Sequence, residues 1–165
     1  PRGSKRSYRV HFDGGTPPEV QAAQLAGFIE EVLGVTGEPQ VEIVAHSLGG
    51  VDARLAILDH GLAPAVKTLI TLGSPHGGTY PARYAATMTT RDLRPDSALI
   101  LRLAEAGWPD GVRGVTMYSH SDLVILPALS AAVVDTDQRD MTPFTHYSYL
   151  IDPDGWAAVA RALEG

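Results

Sequence analysis

The stretch Val41-Glu42-Ile43-Val44-Ala45-His46-Ser47-Leu48-Gly49-Gly50 decides how this chain is read. Its first half, rich in Val and Ile, reads as a short buried strand. Its second half sets a serine among small residues and opens into a helical pattern. A serine on such a strand-to-helix turn has its hydroxyl pushed out above the sheet edge, as a candidate nucleophile. The motif wants a small residue two places before and a glycine two places after, and Ala45 stands where its first glycine usually is. The backbone at Ser47 is expected to be strained, and side chains larger than a methyl at Ala45 or Gly49 to clash with the turn. The same residues fit two blander readings, a Gly-rich turn between strand and helix or an anion-binding turn at a helix N-terminus. The strand before, the helix after and His46 beside the serine favour the catalytic one.

Upstream, residues 7–12 alternate in the manner of a strand and run into Asp13, Gly14 and Gly15. Thr16 and Glu19 are spaced as a capping box around Pro17. Ala22, Leu25, Ile29, Val32 and Leu33 then recur at helical spacing, and Gly34 is the expected stop. Downstream of Ser47 a helix carries Val51, Leu55, Ile57 and Leu58 to Gly61. Residues 66–72 form the next strand, too apolar on both faces for an exposed sheet. Residues 73–79 follow that strand end in the position of an active-site rim. Residues 80–96, which lack a clear period, read as a loop or flap over the site.

A helix over 97–106, a strand over 112–118 running into Asp122, an edge strand over 139–142 leading to His146, and a closing helix over 153–163 complete the pattern. Strands alternating with helices predict an α/β protein: a single, mostly parallel sheet of about five to six strands flanked by helices. Ligands in such sheets sit at the C-terminal strand ends.

The 165 residues suffice for one domain, expected over 5–165 with residues 1–4 as the remnant of a purification tag. The hydrophobic share of 44% and charged share of 19% are those of a globular chain rather than a disordered one. A net charge of −6 gives no electrostatic case for binding nucleic acid or anionic membrane surfaces. The absence of cysteine rules out thiol catalysis and a thiolate metal site. No apolar run approaches the roughly 20 residues of a membrane span, and the N-terminus lacks the apolar core of a signal peptide.

A serine hydroxyl needs a base within hydrogen-bond reach, itself oriented by a carboxylate. An acid after one strand and a histidine after the next would meet Ser47 at one sheet edge, and the chain order Ser47, Asp122, His146 suits that plan. Asp122 begins a loop directly after an apolar strand, whereas Asp135, Asp137 and Asp140 share a polar run; a loop-capping role is the alternative for Asp122. Of the six histidines, His11 and His60 read as structural. His76 and His120 follow strand ends but precede the acid. His46, turned away from Ser47 as its immediate neighbour, reads as structural and is placed with Pro75, His76 and Tyr80 at the border of the substrate site. The amide of Leu48 is the expected oxyanion donor.

Together the segments 41–50, 71–79 and 118–125 and the loop of His146 resemble bacterial lipases of the α/β-hydrolase fold, especially the small lidless secreted lipases of Bacillus and related actinobacterial enzymes. The resemblance covers nearly the whole chain from Tyr8. It implies an α/β-hydrolase fold and carboxylic ester hydrolysis through an acyl-enzyme. Ser47 would be nucleophile, Asp122 acid and His146 base, with no cofactor and no metal. It further implies a small-molecule or lipid ester as substrate, and secretion. The departure lies at the start. The family opens with a strand ending in a His-Gly motif, whose loop supplies the second oxyanion amide, and nothing before Tyr8 matches it. The expectations that follow are an exposed sheet edge open to self-association or to a complementing segment, and a rival reading as a non-catalytic hydrolase-like module. An acyltransferase is a smaller alternative.

Overall fold

The run Val66–Leu72 is the strand β2, and it is covered on both faces, with every residue but Lys67 buried. It pairs in parallel with β1, Val41–His46, on one side and with β3, Arg113–Tyr118, on the other. A fourth strand, β4 (Asp137–Asp140), lies parallel beside β3 and gives the order β1-β2-β3-β4. This architecture is that of a computed structural model that describes residues 6–12, 15–84 and 88–165. Among the described residues six α-helices accompany the strands: α1 Pro18–Thr36, α2 Leu48–Asp59, α3 Met88–Asp92, α4 Ala98–Ala106, α5 Ser148–Ile151 and α6 Pro153–Glu164. The register sets His46 beside Leu72, Leu72 beside Met117 and Tyr118 beside Asp140, so the C-terminal strand ends form one edge.

The parallel sheet flanked by helices is as the alternating pattern predicts, but it holds four strands among the described residues rather than five or six. The strand expected over residues 7–12 is the missing one. Val10 and Phe12 pack against the core as half-buried side chains, yet the segment runs as coil. Alternation reports which side chains find apolar cover. A strand also needs a neighbour to exchange backbone hydrogen bonds with. The expected tag remnant and the turn residues Asp13 and Gly14 lie outside the described residues, as do residues 85–87 of the expected flap.

Two apolar layers sandwich the sheet. On one side Ala22, Leu25 and Ile29 of α1, Val51 and Leu55 of α2 and Leu99 and Leu103 of α4 pack onto Leu69. On the other, Ala158 and Ala162 of α6 and Tyr149 of α5 cover Ile70, Leu72, Val115 and Met117. Helix α1 begins differently from its expected capping box. Pro17 is the N-cap with no side-chain hydrogen bond, and Thr16 offers its carbonyl to Gln21 Nε2 at 2.7 Å. It also runs past Gly34, where nothing presses on the backbone, and ends at Gly37, whose N–H donates to the Leu33 carbonyl at 2.9 Å. Among the described residues no helix is long and apolar enough to cross a membrane.

Helix α2 buries two charged residues. Arg54, 2% exposed, donates to the carbonyls of Leu103 at 2.6 Å and Gly107 at 2.5 Å and lies 5.9 Å from the Trp108 ring centroid. Those carbonyls belong to the C-terminal end of α4, where the helix dipole is negative, so the cation is held without a carboxylate. Asp52, 1% exposed, has no hydrogen-bond partner for either carboxylate oxygen. Burial first, and the charge of Glu19 second, push it up to about 8, so the buried side chain is a neutral acid at pH 7.

Candidate active site

Ser47 ends β1 in a backbone conformation of φ 54° and ψ −128° that non-glycine residues rarely adopt. The turn is held by its own N–H, which donates to the Leu72 carbonyl at 2.9 Å. The close approach that the turn demands is at Gly50 rather than Gly49. A methyl at 49 would only touch Ala45, whereas one at 50 would collide with Ser74 and press on Thr71 at 3.0 Å. Leu48 opens α2, so its amide is among the first helical N–H groups, which have no acceptor within the helix.

His146 sits between β4 and α5, 5% exposed, and Asp122 follows β3, 1% exposed. His146 Nε2 lies 2.9 Å from Ser47 Oγ, and its Nδ1 lies 2.8 Å from Asp122 Oδ2. An ionised carboxylate only accepts, so Nδ1 carries the proton and Nε2 is left to accept from the serine hydroxyl. The other carboxylate oxygen accepts from the amides of Val124 at 2.8 Å and Ile125 at 3.0 Å. Burial pushes Asp122 up. The hydrogen bonds from His146, Ile125 and Val124 outweigh it and leave Asp122 below the usual carboxylate value. Gly73, at φ 51°, lies beneath this pair, where a Cβ would stand 3.0 Å from Asp122 Oδ2 and 3.2 Å from the Tyr149 ring. Only glycine fits there without displacing the carboxylate.

Ser47 opens onto a hollow of about 320 Å³ lined largely by apolar groups, including Leu48, Pro75, Pro81, Leu93, Val124 and Ile125. Thr79, a member of the expected rim, ties this wall together. Its Oγ1 donates to the Val124 carbonyl at 2.7 Å and accepts from the Leu126 amide at 2.9 Å. A serine hydroxyl, an imidazole and a carboxylate thus form one hydrogen-bonded chain beside an apolar hollow, the kind of arrangement that acyl transfer uses.

The family profile described as PGAP1-like alpha/beta domain matches residues 14–90. A triacylglycerol lipase of Pseudarthrobacter phenanthrenivorans is 29% identical over 82 residues, which are 49% of this chain and 25% of that protein. One from Burkholderia plantarii is likewise 29% identical over 82 residues, covering 49% of this chain and 22% of its own length. The chain thus spans about a quarter of the length of the curated relatives it matches. In shape it superposes on Aspergillus fumigatus lipase B with a TM-score of 0.80 at 20% identity, over 92% of this chain and 43% of the other. A Listeria innocua gene product gives 0.67 at 14% identity, over 90% and 67% respectively.

The fold is the α/β-hydrolase fold. The proteins that the chain resembles in sequence and in shape include lipases.

Within this α/β-hydrolase the residues expected at the substrate border are dispersed. Pro75 lines the hollow. Tyr80 is 54% exposed at its outer side, with its amide bonded to the Leu126 carbonyl at 2.9 Å. His76 is buried beneath the site, 3.1 Å from Thr71 Oγ1 and edge-on to Trp108. Burial, then the charge of Arg54, lower it to about 3, so it stays neutral. His46 lies away from the hollow, its Nε2 2.7 Å from the His146 carbonyl oxygen. Sequence reasoning passed over Gly73 and Thr79 as members of a rim. The glycine directly after a buried strand was the available signal for the first, and nothing local signals the second. Among the described residues no group of three or more His, Asp or Glu side chains could hold a metal ion.

Proposed function

We propose that this α/β-hydrolase is a serine carboxylic ester hydrolase of the lipase and esterase kind. Ser47 Oγ attacks the ester carbonyl carbon while His146 Nε2 takes the hydroxyl proton, and the Leu48 amide binds the oxyanion of the tetrahedral intermediate. The intermediate collapses, His146 returns the proton to the leaving alcohol, and the acyl group remains on Ser47. Water then repeats the sequence, releasing the acid and free serine. Asp122 holds the Nδ1–H tautomer and offsets the positive charge on His146 in both steps.

The observation that carries this reading is the hydrogen-bonded chain Ser47–His146–Asp122 at 2.9 and 2.8 Å. The apolar lining of the hollow supports an acyl chain as the group it receives. Hydrolysis of p-nitrophenyl acetate, butyrate and a long-chain ester by the protein and by Ser47→Ala tests it. Turnover is expected to fall at least about 10³-fold in the variant. Equal rates for both folded proteins on all three esters would exclude the reading.

The open side of β1 supports a second element of the proposal, association with a complementing strand from another segment or a second copy. Light scattering over a range of concentrations tests the second copy. A constant monomer mass would leave only the complementing segment.

A further inference from the structure

The side chain of His46, the last residue of β1, reaches the segment that carries His146. Its Nε2 is 2.7 Å from the His146 carbonyl oxygen, and the two rings stand 4.7 Å apart with planes tilted by 47°. Tyr147 and Tyr149 flank it, with ring centroids 6.1 and 6.4 Å away. A carbonyl oxygen only accepts, so Nε2 is the protonated nitrogen of His46. We propose that His46 is a positioning residue for His146, its Nε2–H fastening the base's main chain to the strand that carries the nucleophile. The inference rests on the hydrolase reading for its kinetic consequence and on geometry alone for its structural one.

Both ring nitrogens of His146 are committed, one to Ser47 and one to Asp122. Those bonds orient the imidazole only if the Cα that bears it is fixed, because a shift of about 1 Å at a reacting centre costs on the order of 100-fold in rate. The segment is otherwise tied through Ser119 Oγ to the Phe144 carbonyl at 2.5 Å and through its own turn, Ser148 N–H to the Thr145 carbonyl at 3.1 Å. Neither bond reaches β1. The bond from His46 spans 100 residues of chain and joins the nucleophile's strand directly to the base's loop.

Electrostatics agree with the arrangement. When His146 takes the serine proton it becomes a cation, and a charged His46 ring alongside would oppose that step. Burial, the largest influence, holds His46 below its ordinary value, against the pull of the bond to His146; the proximity of His146 lowers it further. A neutral His46 donates the same hydrogen bond without the repulsion.

The test compares the wild type with His46→Leu, His46→Gln and Ser47→Ala. His46→Leu keeps the bulk and loses the donor, and glutamine places an amide N–H near the position of histidine Nε2. Two quantities are read: the downfield NMR resonance of the His146 Nδ1 proton bonded to Asp122, which needs no turnover, and kcat and KM on a p-nitrophenyl ester. Expected for His46→Leu are a broadened or lost resonance and a kcat lower by about 10- to 100-fold with KM within about twofold. His46→Gln is expected to restore both. A sharp resonance at the wild-type position with unchanged kcat in His46→Leu would overturn the proposal, as would failure of His46→Gln to restore a folded protein's resonance. If the resonance behaves as expected but wild type and Ser47→Ala turn over equally, the hydrolase reading fails and the positioning role stands.

Discussion

Strands β1 and β2 lie side by side in register and differ in almost everything else. β2 has a partner on each side and cover on both faces, and six of its seven residues are buried. Among the described residues β1 pairs with one strand, and Val44 in its middle is 44% exposed. Ser47 follows the less protected strand, and part of what holds its turn and its neighbours comes from the protected one. Leu72 accepts the Ser47 amide, Gly73 makes room for Asp122, and the loops after β3 and β4 bring Asp122 and His146. The buried strand thus sets the floor of the site, and the open strand adds His46 and the strained turn at Ser47.

The sharpest break in this comparison comes from the buried part. Asp122→Asn is expected to lower kcat about 10⁴-fold with the fold retained, because the amide disfavours the tautomer that lets Nε2 accept from Ser47. Steady-state hydrolysis and a circular dichroism spectrum decide it, and a loss under tenfold would remove Asp122 from the proposed triad. Next in size is stability. Leu69→Ala in the core of β2 is expected to cost about 2–5 kcal/mol in urea unfolding.

Asp52, on the helix that covers both strands, sharpens the comparison through pH. In the folded protein it keeps its proton up to about pH 8, but the unfolded chain releases it near the ordinary 3.8. The unfolded state therefore binds fewer protons between those values, and stability falls as pH rises through the window. Asp52→Asn is expected to remove that fall, its advantage over wild type growing to about 5 kcal/mol by pH 8. Parallel unfolding curves for the two proteins from pH 5 to 8 would show that Asp52 is solvated. The smallest effect belongs to the open strand, where Val44→Thr should change stability by less than about 0.5 kcal/mol. A cost as large as that of Leu69→Ala would mean that β1 is covered in solution, and its dependence on protein concentration would identify a second copy as the cover.

What could be read from the sequence follows the same division. β2 was legible to the residue because burial on both faces leaves a continuous apolar run, Val66 to Leu72, that no exposed strand or surface helix needs. The serine turn was legible because its small residues are local. Ser47, Asp122 and His146 were reachable by chain order and by position after strand ends, and the structure brings them within hydrogen-bond distance. Residues 6–12 misled because alternation records burial and not pairing. Gly34 misled because a glycine in a helix costs only about 1 kcal/mol when its neighbours continue the pattern. Asp52 and Arg54 would be assigned to a solvent face by charge, yet both are buried, one as a neutral acid and the other on the carbonyls of a distant helix end. The contact of His46 with His146 spans 100 residues, and no local pattern encodes it.

The separation between Ser47 and His146 also makes the proposed activity a clock for folding. Ser47 and His146 are 99 residues apart, and His146 arrives on the segment before the last two helices, α5 and α6. The turn at Ser47 can form from neighbouring residues early. The bond to His146 closes a loop of most of the chain, and such long-range closures come late because their entropy must be met before any contact rewards it. During refolding, ester hydrolysis should therefore return only as α6 docks, after helical content is already near its final value.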